Sequence, residues 1–198
     1  MMAHDVRNLL AVIDAEGASG RADQILLRLT SLDRPVERRS EAVDVNDIVT
    51  AARPLLERAA GDRIRLQVLL APACERVFAE RAEVERILMN LVISSRSAMP
   101  DGGKLTIQTS SLVQVPSGLK PPYIRANAYV RVTVSDTGAG MPSGVRARIL
   151  DQSPLRKRHG TELGLAAVVH TVRALHGAVH IDSDEGQGTR FNVDLPCA

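Results

Sequence analysis

Two short stretches of this chain hold residue types that could do chemistry together. The alternating run at 129–136 ends in Asp136-Thr137-Gly138-Ala139-Gly140-Met141. A strand that ends in a carboxylate followed at once by glycines sets an acceptor beside bare backbone, which a flat ligand can approach closely. Such a carboxylate can take a hydrogen bond from an exocyclic amine such as that of adenine. The same residues also fit an ordinary Asp-Gly turn. Further on, Gly160-Thr161-Glu162-Leu163-Gly164-Leu165 opens a helical stretch. The N-terminus of a helix offers free N–H groups and the positive end of the dipole to phosphates. It also fits a loop that merely starts a helix.

These residues need elements to hold them. Residues 4–14 and 21–33 read as two helices, with Leu9, Leu10 and Ile13 on one and Ile25, Leu26, Leu29 and Leu32 on the other. A turn containing Gly17 and Gly20 between them predicts an antiparallel hairpin. Arg34-Pro35 and the charged residues to Glu41 read as a linker. From Val43 a second unit begins, with Asp44 as N-cap of a helix that reaches Ala60 and stops at Gly61. Pro54 is a kink point in that helix. Ile64, Leu66 and Val68 alternate as in a half-buried strand. Residues 81–98 carry the apolar stripe Val84, Ile87, Leu88, Leu91 and Val92 of a helix. Pro100-Asp101-Gly102-Gly103 predicts a turn into a strand, and three prolines and a glycine at 111–128 predict a loop. A helix at 161–176 and a closing hairpin around Glu185-Gly186-Gln187-Gly188 complete the chain. The expected fold is α+β: a short helical hairpin over 1–40, then a two-layer α/β sandwich over 41–198. The sandwich has a mixed sheet with helices on one face.

Composition narrows the function. The chain has 198 residues, 44% hydrophobic and 24% charged, which is the mix of a globular protein. No apolar run approaches the roughly 20 residues that span a bilayer, and the first ten residues lack a secretory pattern. Membrane insertion is therefore not expected. With 25 basic and 23 acidic residues the net charge is only +2, and aromatics are 2%. A nucleic-acid partner is not expected. Cys74 and Cys197 are isolated, so neither a disulfide framework nor a structural metal site is expected, and a cytoplasmic location fits.

Taken in order, the motifs resemble those of sensor histidine kinases, whose ATP-binding domain belongs to the GHKL superfamily with the Bergerat fold. Residues 84–107 resemble the N box and its following strand. Residues 136–141 resemble the G1 box, and 160–165 the G2 box. Gly186-x-Gly188-Thr189-x-Phe191, followed by Leu195-Pro196, resembles the closing hairpin. His4-Asp5-x-x-Asn8 resembles the H box of the dimerisation and phosphotransfer hairpin.

The resemblance implies that His4 carries a phosphoryl group to an aspartate on a response-regulator receiver domain. It implies that Asp5 orients the imidazole and accepts its proton. Asn8, one helical turn from His4, would position water. Asp136 would hold the adenine amine, Gly138 and Gly140 would shape the pocket, and Asn90, Gly160, Gly164 and Thr189 would complete the cofactor site. A homodimer through the N-terminal helices is also implied. The chain departs from the pattern where an asparagine that carries Mg²⁺ is usual, because Ser94 stands there. Arg86 replaces the usual Gln or Glu and puts a charge near the expected triphosphate. Glu162 replaces a glycine. Two like charges about 4 Å apart cost roughly 1 to 4 kcal/mol near a surface. The segment 150–159 is short and lacks paired phenylalanines, although Arg156, Lys157 and Arg158 could attract phosphate. ATP and Mg²⁺ are thus expected to bind weakly. The expected function is a two-component phosphorelay through His4 with a degenerate ATP domain. The alternatives are an active autokinase and a non-catalytic scaffold.

Overall fold

The computed structural model describes residues 40–113, 128–150 and 161–198. The expected hairpin helices, the linker up to residue 39, the central part of the loop at 111–128 and the segment after Leu150 lie outside the described residues. Within them the order is β1 (Glu41–Asp44), α1 (Val45–Ala60), β2 (Ile64–Leu69), β3 (Arg76–Ala79), α2 (Arg81–Ser97) and β4 (Gly103–Leu112). Then follow β5 (Tyr129–Asp136), α3 (Ser143–Leu150), α4 (Thr161–Ala174), β6 (Ala178–Ser183) and β7 (Thr189–Pro196).

Local chemistry sets the helix ends. The Asp44 carboxylate accepts the Asn46 N–H at 2.8 Å, and Gly61 at φ +81° closes α1 with its N–H on the Glu57 carbonyl. Pro54 lies inside α1, which continues past it to Ala60. At the start of α2 the Glu83 carboxylate accepts the Glu80 N–H at 3.2 Å. The stripe Val84, Ile87, Leu88, Leu91 and Val92 is buried, and Ser95 continues it.

The main sheet is mixed, in the order β2-β4-β5-β7-β6. β2 and β4 run parallel, and the other pairs are antiparallel. Its strands alternate. Leu105 and Ile107 of β4, Val130, Val132 and Val134 of β5, and Phe191, Val193 and Leu195 of β7 are buried. α2 touches β5, α4 touches β6 and β7, and α1 and α4 both pack on α2. Fully burying each such aliphatic side chain contributes about 1.5–3 kcal/mol. The other face of β5 and β7 is polar. Arg131 grips Asp194 with two parallel bonds, Nε to Oδ1 at 2.6 Å and Nη2 to Oδ2 at 2.8 Å. The Thr133 hydroxyl donates to the Asn192 side-chain carbonyl at 2.9 Å. Asp194 is fully buried, and its hydrogen bond holds the Arg131 guanidinium protonated even more firmly than usual.

Four elements, β1, β3, α3 and β4, depart from the sequence expectation. Glu41, read as linker, begins β1, which pairs antiparallel with β3 in a separate two-stranded sheet. Strands of four residues are too short to show an alternation of their own. Helix α3 follows the glycine loop, where no helix is expected. β4 continues through Ser111 and Leu112, where the proline-based reading places loop. The C-terminus returns to β3, with Cys197 bridging Val77, and Cys74 and Cys197 are both free thiols.

Candidate functional site

Asp136 ends β5 and is almost buried, at 7% exposure. Three protein donors converge on it. Its Oδ1 accepts the N–H of Gly138 at 2.9 Å and that of Thr189 at 3.1 Å. Its Oδ2 accepts the Ser95 hydroxyl at 2.8 Å. A carboxylate offers about four acceptor positions. The three donors therefore leave about one position, on Oδ2. That is the chemistry needed to receive one further N–H donor such as an exocyclic amine.

Ser95 is absent from the sequence-based set of site residues. The signal for it is a lone hydroxyl on the buried stripe of α2, where every other position is aliphatic. Thr189, expected in the cofactor site, stands behind Asp136: its N–H fixes the carboxylate and its hydroxyl lies 2.9 Å from that of Ser183. Ser183 is a second unanticipated residue. It accepts the Met141 N–H at 2.9 Å and donates to the Gly188 carbonyl at 3.1 Å.

The glycine loop at 137–141 is clamped on two sides. The Ala139 N–H donates to the Ala98 carbonyl at the end of α2 at 3.0 Å, and the Gly186 N–H donates to the Ala139 carbonyl at 2.7 Å. A Cβ on Gly138 would meet Ala98, 2.6 Å from its carbonyl oxygen. Gly140 has φ +68°, and a Cβ there would collide with the Asp184 carbonyl. Both glycines are thus required by close backbone approach, and the loop beside Asp136 stays bare.

The opposite end of the site lies between α2 and α4. A Cβ on Gly164 would come to 3.5 Å from Asn90 Oδ1, so these two expected residues do meet. Ser94, one turn beyond Asn90 and on the same side of α2, is half-buried. Arg86 points the other way. Its Nη2 lies 3.4 Å from the Thr171 hydroxyl. The contacts Asn90–Gly164 and Arg86–Thr171 show that α2 and α4 run antiparallel. Thr171 is ten residues past Thr161, about 15 Å along the helix at 1.5 Å per residue. The charge expected near a triphosphate is therefore used far from the α4 N-terminus. Glu162 is also not a bare charge: Arg148 of α3 donates to its Oε1 at 2.9 Å. This ion pair sets a positive charge beside the carboxylate.

These features fit a nucleotide. Asp136 has an acceptor position left, the close packing of Gly138 on Ala98 and of Gly140 on Asp184 holds the loop backbone beside it, and Gly164 brings the backbone of α4 up to Asn90. For Mg²⁺ the donors at hand are the Asn90 amide oxygen and the Ser94 hydroxyl. Among the described residues no cluster of three or more His, Cys, Asp or Glu could hold a metal by itself. His4, Asp5, Asn8, Gly160 and the basic residues 156–158 lie outside the described residues. Among the described residues no helix is long and apolar enough to cross a membrane.

Comparison with known proteins agrees with this geometry. Residues 79–198 match the family model described as histidine kinase-, DNA gyrase B-, and HSP90-like ATPase. Sensor kinase CckA of Brucella abortus (strain 2308) is 30% identical over 189 residues, 93% of this chain and 20% of CckA. The sensory histidine kinase/phosphatase NtrB of Azospirillum brasilense is 28% identical over 219 residues, 99% of this chain and 54% of NtrB. The chain thus spans about half or less of the length of these relatives. Among solved structures, mycobacterial sensor histidine kinase MprB superposes with a TM-score of 0.60 at 22% identity, over 80% of this chain and 97% of that one. Full-length ShkA in complex with AMPPNP gives 0.61 at 24% identity, over 83% and 32%. Both share the fold.

Proposed function

The chain belongs to the family of histidine kinase-, DNA gyrase B- and HSP90-like ATPases, and on that premise we propose that it is a nucleotide-binding two-component signalling protein that passes phosphoryl groups through His4. The observation that carries the nucleotide part is the Asp136 carboxylate, fixed by Ser95, Gly138 and Thr189 with one acceptor position left. Asp136 receives the adenine amine. Gly138 and Gly140 shape the pocket by letting the loop pack closely on Ala98 and Asp184. Asn90 and Gly164, with Gly160 before them, line the phosphate end, and Asn90 with Ser94 faces the Mg²⁺ that accompanies the phosphates. Compensation of Glu162 by Arg148, and the turning of Arg86 to Thr171, support nucleotide binding despite these departures from the usual pattern.

In this reading residues 1–40 form the phosphotransfer hairpin and 41–198 the ATPase domain. A ring nitrogen of His4 attacks the γ-phosphorus, the bond to the leaving ADP oxygen breaks, and Asp5 accepts the imidazole proton. The phosphoryl group then passes to an aspartate of a receiver domain. Asn8 positions water for dephosphorylating the partner regulator, a separate hydrolysis that releases inorganic phosphate. The protein acts in the cytoplasm as a homodimer through its N-terminal helices. A second reading, phosphorelay without autophosphorylation, draws on Ser94, whose hydroxyl is shorter than the amide usual at that position.

Calorimetric titration with ATP, with and without Mg²⁺, tests the proposal. Micromolar, Mg²⁺-dependent binding supports it, and labelling of His4 from γ-labelled ATP then distinguishes the autokinase from the relay. No binding at millimolar ATP leaves the protein a relay or scaffold fed by another kinase. Signalling that survives His4→Ala excludes both phosphotransfer readings.

A further inference from the structure

We propose that Arg148 is a phosphate-recognition residue of the nucleotide site and that Glu162 occupies it as an internal anion until polyphosphate arrives. The inference rests on the nucleotide reading above and adds to it a competition built from this chain's own residues.

Glu162 sits in the first turn of α4. There the first N–H groups of the helix lack intrahelical acceptors and the dipole favours an anion. The helix end therefore already holds a carboxylate, and a guanidinium is already paired with it, Arg148 Nη2 to Glu162 Oε1 at 2.9 Å. Phosphate and carboxylate present similar oxygens to an arginine fork, so one can replace the other on the same group.

The neighbouring arginines are committed differently. Arg146 Nη1 donates to the Ser183 backbone carbonyl at 3.3 Å, and Arg173 Nη2 donates to the Leu150 carbonyl at 3.0 Å. Ile149, 1% exposed, anchors α3 in the core. These contacts fix α3 as a platform. Arg148, by contrast, is held by a side chain that can itself move. The pair is also open to solvent, with side-chain exposures of 60% and 26%. It can therefore exchange partners without disturbing the core.

On arrival of polyphosphate, Arg148 leaves Glu162 for a phosphate oxygen, and Glu162 turns to solvent. No covalent bond changes. Glu162 thus sets the affinity of the site from below. Its replacement of glycine is then a tuning device as well as a departure from the family pattern.

The test is calorimetric binding of Mg²⁺-ATP to the full chain and to Glu162→Gln, Arg148→Gln, the double variant and Asp136→Asn. Urea unfolding checks that each is folded. Glu162→Gln is expected to bind about tenfold tighter, and Arg148→Gln about tenfold weaker, the scale of one charge-assisted hydrogen bond. In the Arg148→Gln background, Glu162→Gln should recover less than its full gain, because Glu162 acts partly by holding Arg148. Glu162→Gln binding no tighter than the parent chain, or Arg148→Gln binding equally well, overturns the inference while the nucleotide reading stands. ATP binding absent from every chain, or unchanged by Asp136→Asn, overturns the nucleotide reading and this inference with it.

Discussion

The Ser95 hydroxyl donates to Asp136 Oδ2 at 2.8 Å, joining two buried residues 41 positions apart. This bond ties the middle helix of the helical layer to the central strand at the point where the glycine loop begins. It also decides how many acceptor positions Asp136 offers to anything outside the protein. Ser95→Ala removes one donor and leaves Oδ2 with an unfilled position in a buried site. A loss of about 1–2 kcal/mol in unfolding free energy is expected, read from urea denaturation. Asp136→Asn replaces an acceptor-only group by one that also donates. ATP binding by calorimetry should fall by roughly a hundredfold or more, and unchanged affinity would remove Asp136 from the site.

Arg131→Ala tests the polar face of the sheet. It takes the guanidinium, 29% exposed, away from the fully buried Asp194 carboxylate and leaves it His180 Nε2 at 3.7 Å. Breaking a buried pair by removing one member costs about 3–5 kcal/mol, and the partial exposure of Arg131 puts the expectation near the lower figure. Replacing both residues, as Arg131→Met with Asp194→Leu, should recover most of that loss. Equal destabilisation by the single and double variants would contradict it.

Two glycines at positive φ, one crowded and one open, should separate in a predictable order. Gly140→Ala forces a side chain into φ +68° and into the Asp184 carbonyl, whereas Gly186 has φ +78° but open space around its missing Cβ. Gly186→Ala should cost about 1 kcal/mol for the backbone conformation alone. Gly140→Ala should cost clearly more and weaken ATP binding, because the loop it distorts lies beside Asp136. Thermal unfolding and calorimetry on the two variants give both comparisons.

Cys197 offers a pH test. Burial first, then the charge of Glu75 and the neighbouring Cys74, push its thiol pKa above the usual 9.0. The folded state therefore favours the neutral thiol. Its contribution to stability is present below the unfolded pKa and lost as pH rises through the higher folded value. In a Cys74→Ser variant, iodoacetamide should alkylate Cys197 more slowly in the folded protein than in urea at pH 9. The two rates should converge only at higher pH. Equal rates at pH 9 would show that the thiol is not shifted.

Much of the fold is legible from spacing alone. The stripe on α2, the alternation of β2, β4 and β5, the Asp44 cap and the Gly61 stop each depend on residues within a few positions of one another, and all appear as read. Asp136, Gly138, Gly140 and Gly164 stand out as residue types that suit a nucleotide, Asn90 stands out through the family resemblance, and Asn90 and Gly164 do meet. β1 and β3 were not visible, because four-residue strands form only by pairing with each other. Ser95 and Ser183 do not stand out in the sequence, because a hydroxyl acquires a role only through its partner.

What the sequence by itself determined is the set of local periods, caps and turns, and the order of motifs that identifies the family. Those follow from backbone geometry and hydrophobic patterning, which act over neighbouring residues. Only the tertiary structure decided where the charges go. Asp136 is held by donors 41 and 53 positions away, Arg86 turns to a threonine 85 positions away, and Glu162 meets Arg148 from a different helix. Side-chain hydrogen bonds act over about 3 Å. Which groups come within that reach is set by the packing of helices on the sheet, and no spacing along the chain encodes it.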